Sequence, residues 1–144
     1  MYAQKAKAEI RELILKKREG FRAAYSGFEV DKVAAYGEKD RERLLADPRI
    51  VRNRLKVNAA IHNAAVIQAM RDSHGGFAAW LQAHHPQEKD QWVKLFRKTF
   101  KFTGGEITGE FLMSIGYLPC PHRPDCPVYA EIVKLGPPWM EITR

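Results

Sequence analysis

Four basic residues, Lys94, Arg97, Lys98 and Lys101, precede the pair Gly104-Gly105, and an apolar-periodic segment resumes at Ile107. Read together, these residues make an amphipathic helix, a tight glycine-bearing hairpin over residues 99–106, and a second helix starting at the glycines. The first N–H groups of a helix have no partner within it and carry the positive end of its dipole, so they suit an anion. Glycines let a phosphate approach without a Cβ in the way. The candidate ligands for a nucleic-acid phosphate are therefore the N–H groups of Thr103, Gly104, Gly105 and Glu106, with Lys101 adding charge. Contacts of this kind position a duplex and carry no sequence information. The bland alternative is an ordinary helix–helix turn.

A second basic group, Arg49, Arg52, Arg54 and Lys56, precedes the longest apolar stripe. Arginines are unfavourable for the dipole at a helix start, which points them toward an anion, here the second strand or far flank of a duplex. A third group is Cys120, His122 and Cys126. Thiolates and imidazoles are zinc ligands, but a structural site takes four, and His84 or His85 would have to complete this one. His62 and His74 have no accompanying motif. Trp80, Trp92 and Trp139 are either core or surfaces for stacking a base.

The elements that must position these groups read as helices. Ile10, Leu13, Ile14, Phe21, Ala24 and Tyr25 recur at helical spacing until Ser26-Gly27. Short helices are expected over residues 30–36 and 38–46, the latter turning Leu44 and Leu45 inward. Asp47-Pro48 reads as a helix start, with aspartate as cap and proline at the first position. Asn53 is expected to cap the longest helix, whose stripe is Val57, Ala60, Ile61, Ala64 and Ile67, and Gly75-Gly76 to end it. Pro86 reads as the start of the helix running through Phe96. Asp125 reads as the cap of the last helix, and Trp139 as an anchor folded back on the body. No segment alternates with period two, so the fold class is all-α, a single compact domain of many short helices. Its body is expected over residues 1–118, with a proline-rich loop and last helix over 119–144 packed on it.

Composition narrows the function classes. Hydrophobic content of 45% beside 28% charged residues is that of a globular chain. The 24 Lys+Arg against 17 Asp+Glu leave a formal charge of +7, which favours a polyanion and predicts salt-sensitive binding. No apolar run approaches the roughly 18 residues of a membrane span, and residues 1–17 do not read as a signal peptide. Two cysteines in the whole chain suit a reducing, cytoplasmic setting. A catalytically inert DNA binder also fits the charge, as does a protein-interaction module meeting an acidic partner, which the hairpin glycines make less attractive. No Walker loop, dinucleotide fingerprint or nucleophile elbow is present.

Several blocks, in order, resemble the 3-methyladenine DNA glycosylase I family of the helix-hairpin-helix superfamily. They are Leu15-Lys16-Lys17-Arg18-Glu19-Gly20-Phe21-Arg22, Asp47-Pro48-Arg49-Ile50-Val51-Arg52-Asn53-Arg54, Phe100-Lys101-Phe102-Thr103-Gly104, Phe111-Leu112-Met113-Ser114-Ile115-Gly116 and His122-Arg123-Pro124-Asp125-Cys126. The resemblance implies a helix-hairpin-helix DNA glycosylase-like fold and double-stranded DNA as partner. It also implies base-excision repair by cleavage of the N-glycosidic bond of an alkylated purine. It makes His122 and Cys126 half of a zinc site whose other ligands the family carries in an N-terminal region not represented here. Counting back from Lys16-Lys17-Arg18-Glu19 puts the family's pocket glutamate at Ala3 and its tryptophan at Arg11. A shift of one turn makes Glu9 or Glu12 the nearest carboxylate, with Glu106 and Glu110 as further acidic residues near the hairpin.

Overall fold

The computed structural model describes the backbone of residues 2–143 and the side chains of residues 9–141. The elements run α1 (Tyr2–Lys16), α2 (Arg18–Ala24), a 3-10 turn (Ser26–Phe28), α3 (Val30–Ala34), α4 (Glu38–Ala46), α5 (Arg54–His74), α6 (Phe77–His84), α7 (Lys89–Thr99), α8 (Gly105–Ser114), α9 (Pro127–Lys134) and a 3-10 segment (Pro138–Thr143). Among the described residues there is no strand, as the lack of period-two alternation implies. The chain forms two compact units that divide within α5, between Gln68 and Ala69.

The core of the first unit gathers Ala24, Tyr25, Val33, Leu44, Ile50, Val57, Ile61 and Ala64. Of the stripe read from α5, Val57, Ile61 and Ala64 are buried there, Ala60 packs half-buried against them, and Ile67 is half-buried. Burial of such side chains contributes about 25 cal/mol per Å² removed from water. Asn53 caps α5 as its position suggests: its side-chain oxygen accepts the Lys56 N–H at 3.2 Å. The helical run expected from Ile10 to Tyr25 instead breaks once, at Lys17, whose ammonium donates to the Pro48 carbonyl oxygen at 2.9 Å. That break turns α2 onto the 47–50 segment, so closely that only glycine fits at position 20. A Cβ there would stand 2.6 Å from the Arg49 carbonyl oxygen.

Asp47-Pro48 does not start a helix. Asp47 ends α4 in an extended conformation, and its carboxylate turns forward to Arg49 rather than to an N–H group of a following helix. A strong local partner two residues away outcompetes the capping role.

The second unit is built on rings. Trp80 packs edge-on against Phe96 and Phe100, with centroids at 5.8 and 5.7 Å, and Phe77 stacks on Phe111 at 6.0 Å. Trp92 is fully buried and Trp80 nearly so, so both serve the core rather than an extruded base. Pro86 lies ahead of α7, which begins at Lys89; the Glu88 N–H is capped by the Gln91 side chain at 3.0 Å. α9 starts at Pro127 with Cys126 rather than Asp125 at its cap, and the exposed Asp125 carboxylate lies 3.5 Å from Arg123. Trp139 is half-buried, and its backbone N–H donates to the Gly116 carbonyl oxygen at 3.0 Å, which anchors the C-terminal segment within its unit.

Candidate nucleic-acid interface

The hairpin joins α7 to α8. Phe100 ends α7 with its ring buried, and its N–H donates to the Phe96 carbonyl oxygen at 2.7 Å. Phe102 then takes a left-handed conformation at φ 61°, and the Thr103 hydroxyl reaches back to the Phe96 carbonyl oxygen at 3.1 Å. Gly104 caps α8 with no side chain bonded to its first N–H groups. The first helical bond is Thr108 N–H to the Gly104 carbonyl oxygen at 3.0 Å. The N–H groups of Gly105, Glu106 and Ile107 therefore precede the helical ladder.

Why glycine stands at position 104 is informative. Its φ of −75° and ψ of 174° suit any residue, and a Cβ there would meet nothing within 4 Å. At Gly105 an added Cβ would only touch Val93 at 4.0 Å. Neither backbone strain nor internal packing calls for glycine at 104. What the missing Cβ leaves is open approach to the N–H groups and to the positive end of the α8 dipole. Lys94, Arg97 and Lys98 are exposed on α7, and Lys101 is exposed in the hairpin. Glu106 is exposed in the first turn of α8, where its carboxylate also favours the dipole.

In the first unit the structure separates the four basic residues by role. Arg49 is held by Asp47: its Nη2 donates to Oδ2 at 2.7 Å, and its Nε and backbone N–H donate to Oδ1 at 3.0 and 2.9 Å. The Arg49 side-chain bond, followed by its backbone N–H, holds the Asp47 carboxyl down at about 2. Arg52 and Arg54 are exposed at the entry to α5. Lys56 lies at the rim of an apolar cavity of about 380 Å³ whose walls include Phe21, Tyr25, Phe28, Ala60 and Ile67.

Among the described residues, no carboxylate lines that cavity. Glu9, Arg11 and Glu12 are all exposed on α1, and Glu12 pairs with Lys16 at 2.8 Å. The Ala3 side chain lies outside the described residues. Glu110 is exposed on α8.

The third group is only partly assembled. The Cys126 sulfur lies 3.6 Å from His122 Nδ1, whereas the Cys120 sulfur faces the His122 carbonyl oxygen at 4.0 Å. His84 is turned to the Trp80 carbonyl oxygen at 2.8 Å, and His85 is buried with Nε2 3.5 Å from Glu141. Among the described residues, no three His, Cys, Asp or Glu side chains gather as metal ligands would. A zinc ion held by Cys120, His122 and Cys126 does not fit this arrangement.

Two features escaped the sequence. The left-handed Phe102 has no signal in residue type, since glycine is the usual occupant of such a position. The Asp47–Arg49 clasp was written in the spacing, but hidden by the more familiar aspartate-proline helix start.

Comparison with known proteins decides the family. The pattern of methyladenine glycosylases matches residues 4–94, well over half of the chain. The chain belongs to the methyladenine glycosylase family. That matched span takes in the first unit from residue 4 onward and ends inside α7, ahead of the hairpin. DNA-3-methyladenine glycosylase 1 of Escherichia coli is 34% identical, over 72% of this chain and 65% of its own length. DNA-3-methyladenine glycosylase of Haemophilus influenzae is 27% identical, over 79% and 71%. The solved structure of 3-methyladenine DNA glycosylase I from Staphylococcus aureus superposes with a TM-score of 0.69 at 28% identity, covering 80% of this chain and 71% of its own. The chain thus spans just under two thirds of the Escherichia coli relative. Its all-α fold is that of the methyladenine glycosylases, and no described helix is long and apolar enough to cross a membrane.

Proposed function

We propose that this chain binds duplex DNA through the hairpin between α7 and α8. In this reading it serves base-excision repair by cleaving the N-glycosidic bond of an alkylated purine. The observation that carries the DNA half is the open start of α8, where Gly104 is glycine for no internal reason. A phosphate seated there accepts the N–H groups of Gly105 and Glu106, while Lys101 adds charge. Arg52, Arg54 and Lys56 offer a second set of phosphate contacts, and Arg49 positions that segment through Asp47. The basic balance of the chain supports the same partner, and two free cysteines suit the cytoplasm.

The repair half is supported by the family and by the demands of the chemistry. A glycosylase turns its base out of the duplex into a pocket. An N-alkylated adenine is cationic while bound to its sugar and departs neutral. Bond cleavage therefore asks for shape, stacking and a nearby negative charge more than for a strong nucleophile. Glu9 and Glu12 on α1 are the carboxylates nearest the family's position.

One observation favours a second reading, a DNA-binding protein without glycosylase activity. Both of those carboxylates face solvent, and among the described residues none lines the apolar cavity of the first unit. Incubation with methylated duplex DNA, followed by analysis of the released bases, separates the two. Free 3-methyladenine in excess of a protein-free control is the expected result. Binding without release would leave the second reading, and neither binding nor release would end both.

A further inference from the structure

Phe102 occupies the tip of the hairpin at φ 61°. An L-residue in that region carries a cost of roughly 1–2 kcal/mol that glycine does not, and a bulky aromatic residue there is uncommon. Burial does not account for it. The ring is 49% exposed, whereas Phe100, two residues earlier, is 7% exposed and supplies the buried anchor of the turn. Across the glycines, Ile107 in the first turn of α8 is 55% exposed. Two large apolar side chains thus flank the segment that bears the open N–H groups, with Lys101 beside them.

A site for a bare anion has no use for such surface, because exposed apolar area costs free energy in water. A DNA backbone supplies the matching chemistry. Each phosphate is bracketed by deoxyribose rings, whose carbon faces are the apolar surface within reach of a residue beside the phosphate. We propose that Phe102 is a DNA-contacting residue, its ring packing with Ile107 on the deoxyribose next to the phosphate held at the start of α8. This inference rests on the DNA-binding reading of the hairpin. It gives the left-handed backbone a purpose: the turn tolerates a strained residue in order to present a ring where glycine would present nothing.

Apolar and ionic contacts have different signatures. Phosphate neutralisation sets the slope of log affinity against log salt, and an apolar contact changes affinity at every salt concentration alike. The test is fluorescence anisotropy of a short fluorescein-labelled duplex, titrated with the wild-type chain, Phe102→Gly, Phe102→Tyr and Gly104→Asp over a salt series. Thermal unfolding is measured on each protein. Phe102→Gly is expected to bind about ten-fold more weakly, equivalent to roughly 1.4 kcal/mol, with an unchanged salt slope and an unfolding temperature equal to or above wild type. Phe102→Tyr keeps the ring and is expected to bind as wild type. If Phe102→Gly binds as wild type while Gly104→Asp loses binding, the ring contact is refuted and the phosphate site stands. A marked fall in the unfolding temperature of Phe102→Gly would make the ring a structural part and overturn the proposal. A wild-type chain that binds no duplex at low salt would overturn the hairpin reading and this inference together.

Discussion

The hydroxyl of Thr103 donates to the carbonyl oxygen of Phe96 at 3.1 Å, on the same oxygen that accepts the Phe100 N–H at 2.7 Å. One carbonyl at the end of α7 thus holds both sides of the hairpin and fixes where α8 begins. Replacing Thr103 by valine keeps the shape and removes the donor. Because Phe96 retains the Phe100 bond, the loss is that of one ordinary hydrogen bond, about 1 kcal/mol in urea unfolding. Duplex affinity is expected to fall with it, and unchanged affinity would detach the hairpin from binding.

Gly20 and Arg49 supply a prediction for the fold alone. In an exposed helix, glycine to alanine gains up to about 1 kcal/mol from propensity. Here the added Cβ would meet backbone at 2.6 Å, which cannot swing aside. Gly20→Ala is therefore expected to destabilise by about 1–3 kcal/mol, the usual range for overpacking. A rise in the urea midpoint would show that α2 and the 47–50 turn do not pack as described.

Asp47 gives the chain an acid-sensitive element. Its carboxyl is held at about 2, below the ordinary 3.8, chiefly by the Arg49 side chain. A depressed carboxyl contributes stability that is complete above its unfolded value and is lost as pH falls through its folded one. The stability difference between wild type and Asp47→Asn should therefore be constant above pH 4 or so and shrink as pH is lowered toward about 2. Urea midpoints of both proteins across that window measure it; a constant difference throughout would contradict the clasp.

The cysteine-histidine loop predicts a metal content. His122 and Cys126 make a pair, and a structural zinc site takes four ligands. Elemental analysis of the purified chain should give well below one zinc per molecule, and Cys120→Ser should unfold at the wild-type temperature. A full equivalent of zinc would require a different course for the 120–126 loop.

Much of this arrangement was legible in residue order. Asn53 was readable as a cap because a short polar side chain before an apolar stripe has one obvious use, and its bond to Lys56 N–H follows. The start of α8 at the glycines, the burial of Leu44 and the inward face of Val57, Ile61 and Ala64 were readable from spacing for the same reason. What failed were signals with a competing partner. Asp47, Asp125 and Pro86 each carry a helix-start signature. Asp47 was taken by Arg49, the Glu88–Gln91 cap set the start of α7 beyond Pro86, and α9 has Cys126 rather than Asp125 at its cap position. The basic residues of the site were legible as charge, but which of them is engaged internally was not. Only the geometry shows Arg49 spent on Asp47 while Arg52 and Arg54 stay exposed.

The central claim is that the open start of α8 holds a DNA phosphate, and Gly104→Asp tests it most directly. Aspartate is a strong helix cap and favours the positive end of the dipole, so the variant should be as stable as wild type or up to about 1 kcal/mol more so. Its carboxylate would occupy the donors that a phosphate needs and repel the phosphate itself. In anisotropy titrations of a short duplex at low salt, wild type is expected to bind in a salt-dependent manner and Gly104→Asp to lose at least ten-fold in affinity while fully folded. Equal binding by the two proteins would contradict the account.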